Sequence, residues 1–162
     1  MQKLFETRGD LINLANKGHF DVIVHGCNCF CAMGSGIARQ VADQIPGAWE
    51  ADLVTHAGDY NKLGNYSKFT VVTDSLTKYT VINAYTQYTI RQGSASVFEY
   101  CAFDLILQKL AHEFRGARFG FPAIGMDRAG GDRATILRSL ERFAGFDTIG
   151  SATIVWYDGV DS

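Results

Sequence analysis

Two glycine-rich segments, each between a strand-like stretch and a helical pattern, constrain the fold of this chain more than any other feature. The first segment, 32–36, follows the apolar stretch 20–25, and the second, 125–131, follows the stretch 118–124. A strand, a glycine-rich turn and a helix in this order are typical of proteins in which strands and helices alternate. The sequence therefore predicts an α/β layered fold with a largely parallel sheet.

The remaining elements follow the same alternation. The first predicted helix carries Ile37, Val41 and Ile45, whose spacing of four residues marks one helical face. Pro46 is expected to stop or interrupt this helix. The other predicted helices cover 48–56, 97–114 and 132–143, and the predicted strands cover 20–25, 69–72, 79–85, 118–124 and 152–157. These strands are apolar without strict alternation, which favours a sheet covered on both faces.

Length and composition exclude several classes of protein. The 162 residues suit one domain, since domains commonly span about 100–200 residues. An aromatic content of 12% with only two prolines excludes disordered, collagen-like and coiled-coil chains. The net charge of −2 argues against binding to duplex nucleic acid. Because no apolar run approaches the length of a membrane span and the N-terminus lacks a signal-peptide core, we expect a cytoplasmic protein that binds no membrane.

The cysteines and lysines give weaker signals. Cys27, Cys29 and Cys31 alternate, so in an extended segment they point to opposite faces and do not readily share one zinc ion. We therefore expect no metal and no cofactor, and we interpret these cysteines as small packing residues under a loop, with a nucleophilic thiol as the alternative. Lys62 and Lys68 lie in a polar stretch and are expected to be solvated charges.

The two glycine-rich segments also indicate a ligand. In parallel α/β sheets, ligands bind beyond the carboxyl ends of the strands, where such loops gather. Glycine lets backbone N–H groups converge on an anion, and a helix N-terminus adds partial positive charge. Neither segment carries the lysine of a phosphate-binding P-loop or the dinucleotide-binding glycine pattern. Together they predict a site for a diphosphate held from two sides.

Three motifs resemble those of macrodomains. Asn28-Cys29, followed by Met33-Gly34-Ser35-Gly36-Ile37-Ala38, is similar to the first ligand loop of that family. Gly9-Asp10-Leu11-Ile12 resembles its early Gly-Asp element, and Pro122-Ala123-Ile124-Gly125, followed by Ala129-Gly130-Gly131-Asp132, resembles its second loop. The resemblance is to the branch of ADP-ribose-1''-phosphate phosphatase-like and terminal ADP-ribose glycohydrolase-like members, which includes bacteriophage proteins. It implies one three-layer α/β/α macrodomain over 1–162, with a mixed, largely parallel central sheet.

This resemblance also implies how ADP-ribose is held. Asp10 would accept a hydrogen bond from the adenine amino group, Asn28 would bind hydroxyls of the distal ribose, and Tyr157 would pack against adenine. Backbone amides of the two glycine-rich loops would wrap the diphosphate and ribose. The implied ligand-binding residues are Asp10, Leu11, Asn28, Met33, Gly34, Ser35, Gly36, Ile37, Ile124, Gly125, Met126, Asp127, Arg128, Ala129, Gly130 and Tyr157.

The chain departs from the family pattern where chemistry is expected. Members that remove ADP-ribose from carboxylates or DNA bases use a lysine after the first loop, and the corresponding stretch 41–45 has none. Asp127 is a candidate to orient or deprotonate water and Arg128 to hold a terminal phosphate, or else Asp127 caps a helix and Arg128 faces solvent. Asp132 is a better helix cap, with water orientation as the alternative. His25 is either an acid/base group or a buried, satisfied histidine.

We therefore expect the catalytic residues to be drawn from Asn28, Asp127, His25 and Asp132. The expected function is a phosphatase that removes the terminal phosphate of ADP-ribose-1''-phosphate by water attack. Two alternatives remain open: a non-catalytic reader of ADP-ribose, and a hydrolase that removes ADP-ribose from modified macromolecules. The expected partners are accordingly ADP-ribose, its 1''-phosphate or ADP-ribosylated macromolecules. A structural domain without a ligand is the remaining possibility.

Overall fold

A computed structural model describes residues 3–158 and contains one six-stranded sheet with five α-helices among those residues. The strands are β1 (Phe5–Gly9), β2 (Val22–Cys27), β3 (Tyr66–Val72), β4 (Lys78–Tyr85), β5 (Arg118–Phe121) and β6 (Ser151–Tyr157). The helices are α1 (Leu11–Asn16), α2 (Gly36–Gln44), α3 (Pro46–Leu53), α4 (Tyr100–Glu113) and α5 (Arg133–Ala144). None of the helices between residues 3 and 158 has the length and apolar character that a membrane crossing needs.

The sheet has the strand order β1-β6-β5-β2-β4-β3. Every neighbouring pair is parallel except β3 and β4, which are antiparallel. The sheet is therefore mixed and largely parallel, as the sequence and the family resemblance predict. Five strands point in one direction, so their carboxyl ends lie along one edge of the sheet.

Each face of the sheet packs against its own layer of helices. In β2, Val22 and Val24 belong to a buried cluster that includes α4 and α5, whereas Ile23 belongs to a second cluster that includes α1, α2 and α3. Neighbouring β4 divides in the same way, with Ile82 in the first cluster and Val81 in the second. Because successive side chains of a strand point to opposite faces, this division produces three layers.

The helix boundaries near the prolines and aspartates follow local chemistry. Pro46 ends the first predicted helix and also begins α3, which starts two residues earlier than expected and ends at Leu53. Proline is favourable at the first position of a helix because its missing N–H needs no partner there. Asp132 is the N-cap of α5 and accepts a hydrogen bond from the Thr135 amide at 3.0 Å, which confirms the predicted cap.

Two elements lack a sequence signal that could predict them. The edge strand β1 exposes four of its five residues, so it carries no apolar pattern. Its position depends on parallel pairing with β6, in which Phe5 lies opposite Thr153 and Gly9 opposite Tyr157. Helix α1 has six residues and is too short for a periodic pattern to be distinctive.

The expectation that Lys62 is solvated is wrong. Its side chain is buried, and Nζ donates a hydrogen bond to the Cys29 carbonyl at 3.0 Å. The same ammonium lies 4.5 Å from the centre of the Tyr85 ring, whose hydroxyl donates to Asp52 at 2.6 Å. These contacts offset the cost of burying a charge. Lys68 is exposed, as expected, and pairs with Glu113.

Replacing Phe143 with Ala should lower the free energy of unfolding by about 3–5 kcal/mol, the usual cost of removing a buried aromatic side chain. The Phe143 ring is 1% exposed and meets the Phe119 and Phe121 rings edge-on, with centroids 5.0 and 5.7 Å away. Urea titration would measure the change. Phe5→Ala, at a half-exposed position on the edge strand, is the control and should cost much less. Similar losses in both variants would contradict this description of the core.

Candidate functional site

A cleft of about 600 Å³ opens at the edge of the sheet where the parallel strands end. Three segments form it: the first loop (28–35) after β2, the second loop (122–132) after β5 and the third loop (86–99) after β4. The cleft extends over Gly26 and Cys27 at the end of β2 and over the start of α2. Both glycine-rich segments identified in the sequence therefore face the same cavity.

The position of β2 explains why these loops meet. This strand lies between β5 and β4 and is parallel to both. Val22 lies opposite Phe119 in β5 and Thr80 in β4, which aligns the three strands. Parallel strands in register deliver the loops at their carboxyl ends to one place.

The structure separates the predicted ligand residues into two groups. Those that line the cleft are Asn28, Gly34, Ser35, Gly36, Ile37, Ile124, Gly125, Asp127, Arg128 and Ala129. Those that do not line it are Asp10, Leu11, Met33, Met126, Gly130 and Tyr157. Met33 belongs to the first loop, but its side chain is buried in a cluster with Cys27, Cys29 and Tyr85. The first group contains side chains and backbone from both glycine-rich loops.

Asn28 shapes the first loop and also lines the cleft. Its side-chain Nδ2 donates to the Ala32 carbonyl at 2.9 Å, and its Oδ1 accepts from the Phe30 amide at 2.9 Å. An amide side chain has two N–H groups and two acceptor lone pairs. One N–H and one lone pair therefore remain for a ligand hydroxyl.

Asp127 and Arg128 are exposed on the wall of the cleft formed by the second loop. The Arg128 side chain reaches the start of α2, where its Nε lies 3.2 Å from the point that a Cβ on Gly36 would occupy. Glycine at position 36 thus leaves space for the guanidinium and also accommodates a φ of +59°. Within residues 3–158, no ion pair involves Asp127 or Arg128.

The second loop folds back on itself around Gly125. The Gly131 amide donates to the Gly125 carbonyl at 2.7 Å. Gly125 has a φ of +74°, and a Cβ there would clash with the ring of Phe98 in the third loop. The absence of a side chain at Gly125 therefore permits both the turn and the contact with Phe98.

The third loop is the part of the site that sequence reasoning missed. Gln87, Ile90, Arg91 and Gly93 line the cleft. Hydrogen bonds tie this loop to the other two: the Cys29 amide donates to the Tyr88 carbonyl at 2.9 Å, and the Val97 amide donates to the Ala129 carbonyl at 3.0 Å. The sequence signal for this loop is that it directly follows the predicted strand 79–85; that this strand lies parallel to β2 is a result of the fold.

Asp10 and Tyr157 lie together on the other side of the second loop. They follow or end the adjacent strands β1 and β6, where Gly9 lies opposite Tyr157. Asp10 is the N-cap of α1 and accepts from the Asn13 amide at 3.0 Å, whereas Tyr157 is mostly exposed. The structure therefore groups the two residues predicted to contact adenine, but it does not bring them into the cleft.

His25 lies inside the sheet and not in the cleft. Its Nε2 is 2.7 Å from Asn83 Oδ1, and the Asn83 amide group itself donates to the Ala48 carbonyl at 2.8 Å. Burial lowers the pKa of His25 to about 4, although the bond to Asn83 acts in the opposite direction. The imidazole is therefore neutral near pH 7 and occupies the position of a satisfied core histidine, which removes it from the groups that can reach a ligand.

Asp132 also lies outside the cleft, at the start of α5. The hydrogen bonds from Thr135 lower the pKa of this carboxyl. Among the four candidate catalytic residues, Asn28 and Asp127 line the cleft, and His25 and Asp132 do not.

Cys27 and Cys29, at the start of the first loop, are packing residues. Cys27 and Cys29 are buried, and burial raises the pKa of both thiols, which keeps them protonated. Between residues 3 and 158, no group of three or more histidine, cysteine, aspartate or glutamate side chains could hold a metal ion.

A curated relative comes from a bacteriophage. The chain is 38% identical over 124 residues to an uncharacterized 17.5 kDa protein from the tk-vs intergenic region of Enterobacteria phage T4. The alignment covers 76% of this chain and 75% of the phage protein. No family model matches the chain.

Solved structures with a similar fold include macrodomains. The macrodomain of Mycobacterium tuberculosis DarG superposes with a TM-score of 0.67 at 21% identity and covers 97% of this chain and 98% of its own. Thermosipho africanus DarTG, solved in complex with ADP-ribose, superposes with a TM-score of 0.71 at 13% identity. That match covers 98% of this chain but 42% of the Thermosipho protein. Because the sequence identities are this low, the structural similarity establishes a shared fold alone.

Replacing Gly125 with Ala should destabilise the protein more than replacing Gly93 with Ala. Both glycines have a φ of +74°, so both variants carry the strain of a side chain in the left-handed region. Only at Gly125 would the new Cβ meet a neighbour, the buried ring of Phe98, whereas nothing lies within 4 Å at Gly93. We expect an additional loss of about 1–3 kcal/mol for overpacking at Gly125. Chemical denaturation would measure it, and equal losses would contradict the described contact.

His25 should make the free energy of unfolding fall on acidification from pH 6.5 to 4. Over this range the unfolded histidine binds a proton that the folded one excludes, so stability present above pH 6.5 is lost as the pH falls. The shift of the pKa to about 4 corresponds to about 3 kcal/mol. The experiment compares urea unfolding at several pH values for wild type and His25→Gln, whose profile should be flatter. His112→Gln, at an exposed position, is the control. Parallel profiles for all three proteins would refute the assignment.

Proposed function

Because this chain belongs to the same family as the uncharacterized phage T4 protein and has the macrodomain fold, we propose that it binds ADP-ribose and hydrolyses ADP-ribose-1''-phosphate. The observation that carries the proposal is that Asn28 and Asp127 line one cleft together with the backbone of two glycine-rich loops. The Thermosipho protein of the same fold was solved with ADP-ribose bound, which supports this ligand. The phage relative favours action in a host cytoplasm.

The proposed diphosphate site combines the first loop with the start of α2. Ser35 is the N-cap of this helix, but its side chain makes no capping hydrogen bond. The first amides of a helix need partners from outside the helix, and the helix dipole favours an anion at this end. In the second loop, Ile124, Gly125 and residues 127–129 line the same space. The cavity of about 600 Å³ lies within the range of about 300–1,000 Å³ that is usual for small-molecule sites.

The sheet order gives the proposed ligand a direction. Asp10 and Tyr157 lie at the β1 and β6 side, whereas the third loop follows β4 on the opposite side of β2. With adenine at the Asp10 side, the diphosphate lies between the first and second loops. The distal ribose then lies near Asn28, whose free N–H and lone pair suit ribose hydroxyls.

The proposed reaction is water attack on the terminal phosphorus. The Asp127 carboxylate accepts a proton from water as the water oxygen forms a bond to phosphorus. The bond between phosphorus and the 1''-oxygen breaks, and the proton passes to that oxygen, so the products are ADP-ribose and inorganic phosphate. The Arg128 guanidinium would stabilise the negative charge on the transferred group.

Asp127→Asn should lower kcat for phosphate release from ADP-ribose-1''-phosphate by a factor of about 10²–10⁴, because it removes the proton acceptor. The variant keeps the shape of the side chain, so its affinity for ADP-ribose by calorimetry should stay close to that of wild type. Asp74→Asn, an exposed position in the turn between β3 and β4, is the matched control and should be fully active.

Asn28→Ala tests the proposed binding of ADP-ribose. This change should weaken ADP-ribose binding as well as turnover, because it removes both the ligand-facing amide and the two bonds that shape the first loop. Thermal melting would show whether the variant is folded. If the wild-type protein binds ADP-ribose but releases no phosphate from ADP-ribose-1''-phosphate, it is a non-catalytic reader. If it instead releases ADP-ribose from a mono-ADP-ribosylated protein, it is a hydrolase of modified macromolecules. Failure to bind ADP-ribose would overturn the whole proposal.

A further inference from the structure

We propose that Arg91, in the third loop, binds the phosphate carried by the distal ribose and so selects ADP-ribose-1''-phosphate over ADP-ribose. This inference rests on the ligand proposed above and adds a residue that determines its specificity. Nothing in the glycine-rich motifs points to this position, which lies in a segment without a helical or strand pattern.

The place of the third loop in the fold puts Arg91 at the required end of the cleft. The loop follows β4, and β2 and β5 separate it from β6, which ends at Tyr157, and from β1, which Asp10 follows. It is hydrogen-bonded to Cys29, the neighbour of Asn28. A ligand with adenine toward Asp10 therefore presents its distal ribose, and any group attached to that ribose, toward the third loop.

The contacts of Arg91 leave much of its hydrogen-bonding capacity unused. Its Nη2 donates to the Ser94 carbonyl at 2.6 Å, and its guanidinium lies so close to the Gly130 backbone that a Cβ on Gly130 would clash with it. The Arg91 Nε is buried and has no hydrogen-bond partner among the described residues. Among the described residues, the Ser94 carbonyl is the one acceptor for an Arg91 N–H group, so the outer N–H groups of this cleft-lining guanidinium can serve an anionic ligand.

The charges of the cleft suit an additional phosphate. The charged residues that line it are Arg91, Arg128 and Asp127, an excess of one positive charge in a chain whose net charge is −2. Neither arginine has an ion pair with another residue in 3–158. A guanidinium can give two parallel N–H groups to one phosphate, which an ammonium cannot reproduce.

Contacts on both sides of Arg91 anchor the third loop. At one end the Tyr88 hydroxyl donates to the Gly58 carbonyl at 2.8 Å, and the Tyr88 ring stacks on Tyr60 with centroids 3.7 Å apart. At the other end the Ser96 hydroxyl donates to the Ala129 carbonyl at 3.2 Å. A guanidinium held in place before the ligand arrives loses less entropy on binding, which favours discrimination between ligands.

The test measures the affinities of ADP-ribose-1''-phosphate and ADP-ribose by calorimetry. All proteins carry Asp127→Asn, so that the phosphorylated ligand is not consumed. With Arg91 intact, we expect the phosphorylated ligand to bind about 10–100-fold more tightly, the range for hydrogen bonds to a charged group. Adding Arg91→Gln should reduce this preference to within about threefold while affinity for ADP-ribose changes little, and Arg91→Lys should give an intermediate preference.

Arg138→Gln on α5 is the matched control, because it removes the same charge from an exposed arginine outside the cleft and should leave the preference intact. Equal losses for both ligands in Arg91→Gln and Arg91→Lys, or an unchanged preference, would overturn this inference and leave the proposed function standing. Failure of the Asp127→Asn protein to bind either ligand would instead overturn the proposed function together with it. Thermal melting of each variant separates loss of binding from loss of folding.

Discussion

The candidate site depends on the parallel pairing of β2 with β5 on one side and β4 on the other. Each strand ends at the same edge, so three chain segments that are far apart in the sequence meet around one cavity. The two buried clusters hold β2 from both faces through alternating residues such as Val22 and Ile23. Because a shift of one residue would exchange these faces, the apolar pattern of β2 also fixes the positions of the loops.

Buried side chains pack against the first loop and hold its conformation. Lys62 donates to the carbonyl of Cys29 and lies over the Tyr85 ring, while Met33 packs against the same ring from the loop itself. A buried lysine replaces the solvent that would otherwise satisfy this carbonyl. The loop that presents Asn28 is therefore shaped by a layer of side chains that never reach the cleft.

Sequence reasoning succeeded where local chemistry decides the outcome and failed where distant contacts decide it. The two glycine-rich loops and the cap at Asp132 carry their own signals, and the structure has the loops facing one cavity. The burial of Lys62 and the presence of Arg91 in the cleft depend on which strands become neighbours, and no local pattern records this. For the same reason the sequence could not separate His25, which is held inside the sheet by Asn83, from a histidine that faces the ligand.

The two hydrogen bonds of the Asn28 side chain limit which residues of the site can change in evolution. Since both ends of its amide already brace the first loop, any replacement alters the loop conformation together with the ligand contact. Arg91 is less constrained, because its side chain makes one hydrogen bond within the third loop, to the Ser94 carbonyl, and the loop is also anchored through Tyr88 and Ser96. Evolution toward new ligands on this scaffold would therefore proceed by exchanging side chains after β4 while the asparagine stays unchanged.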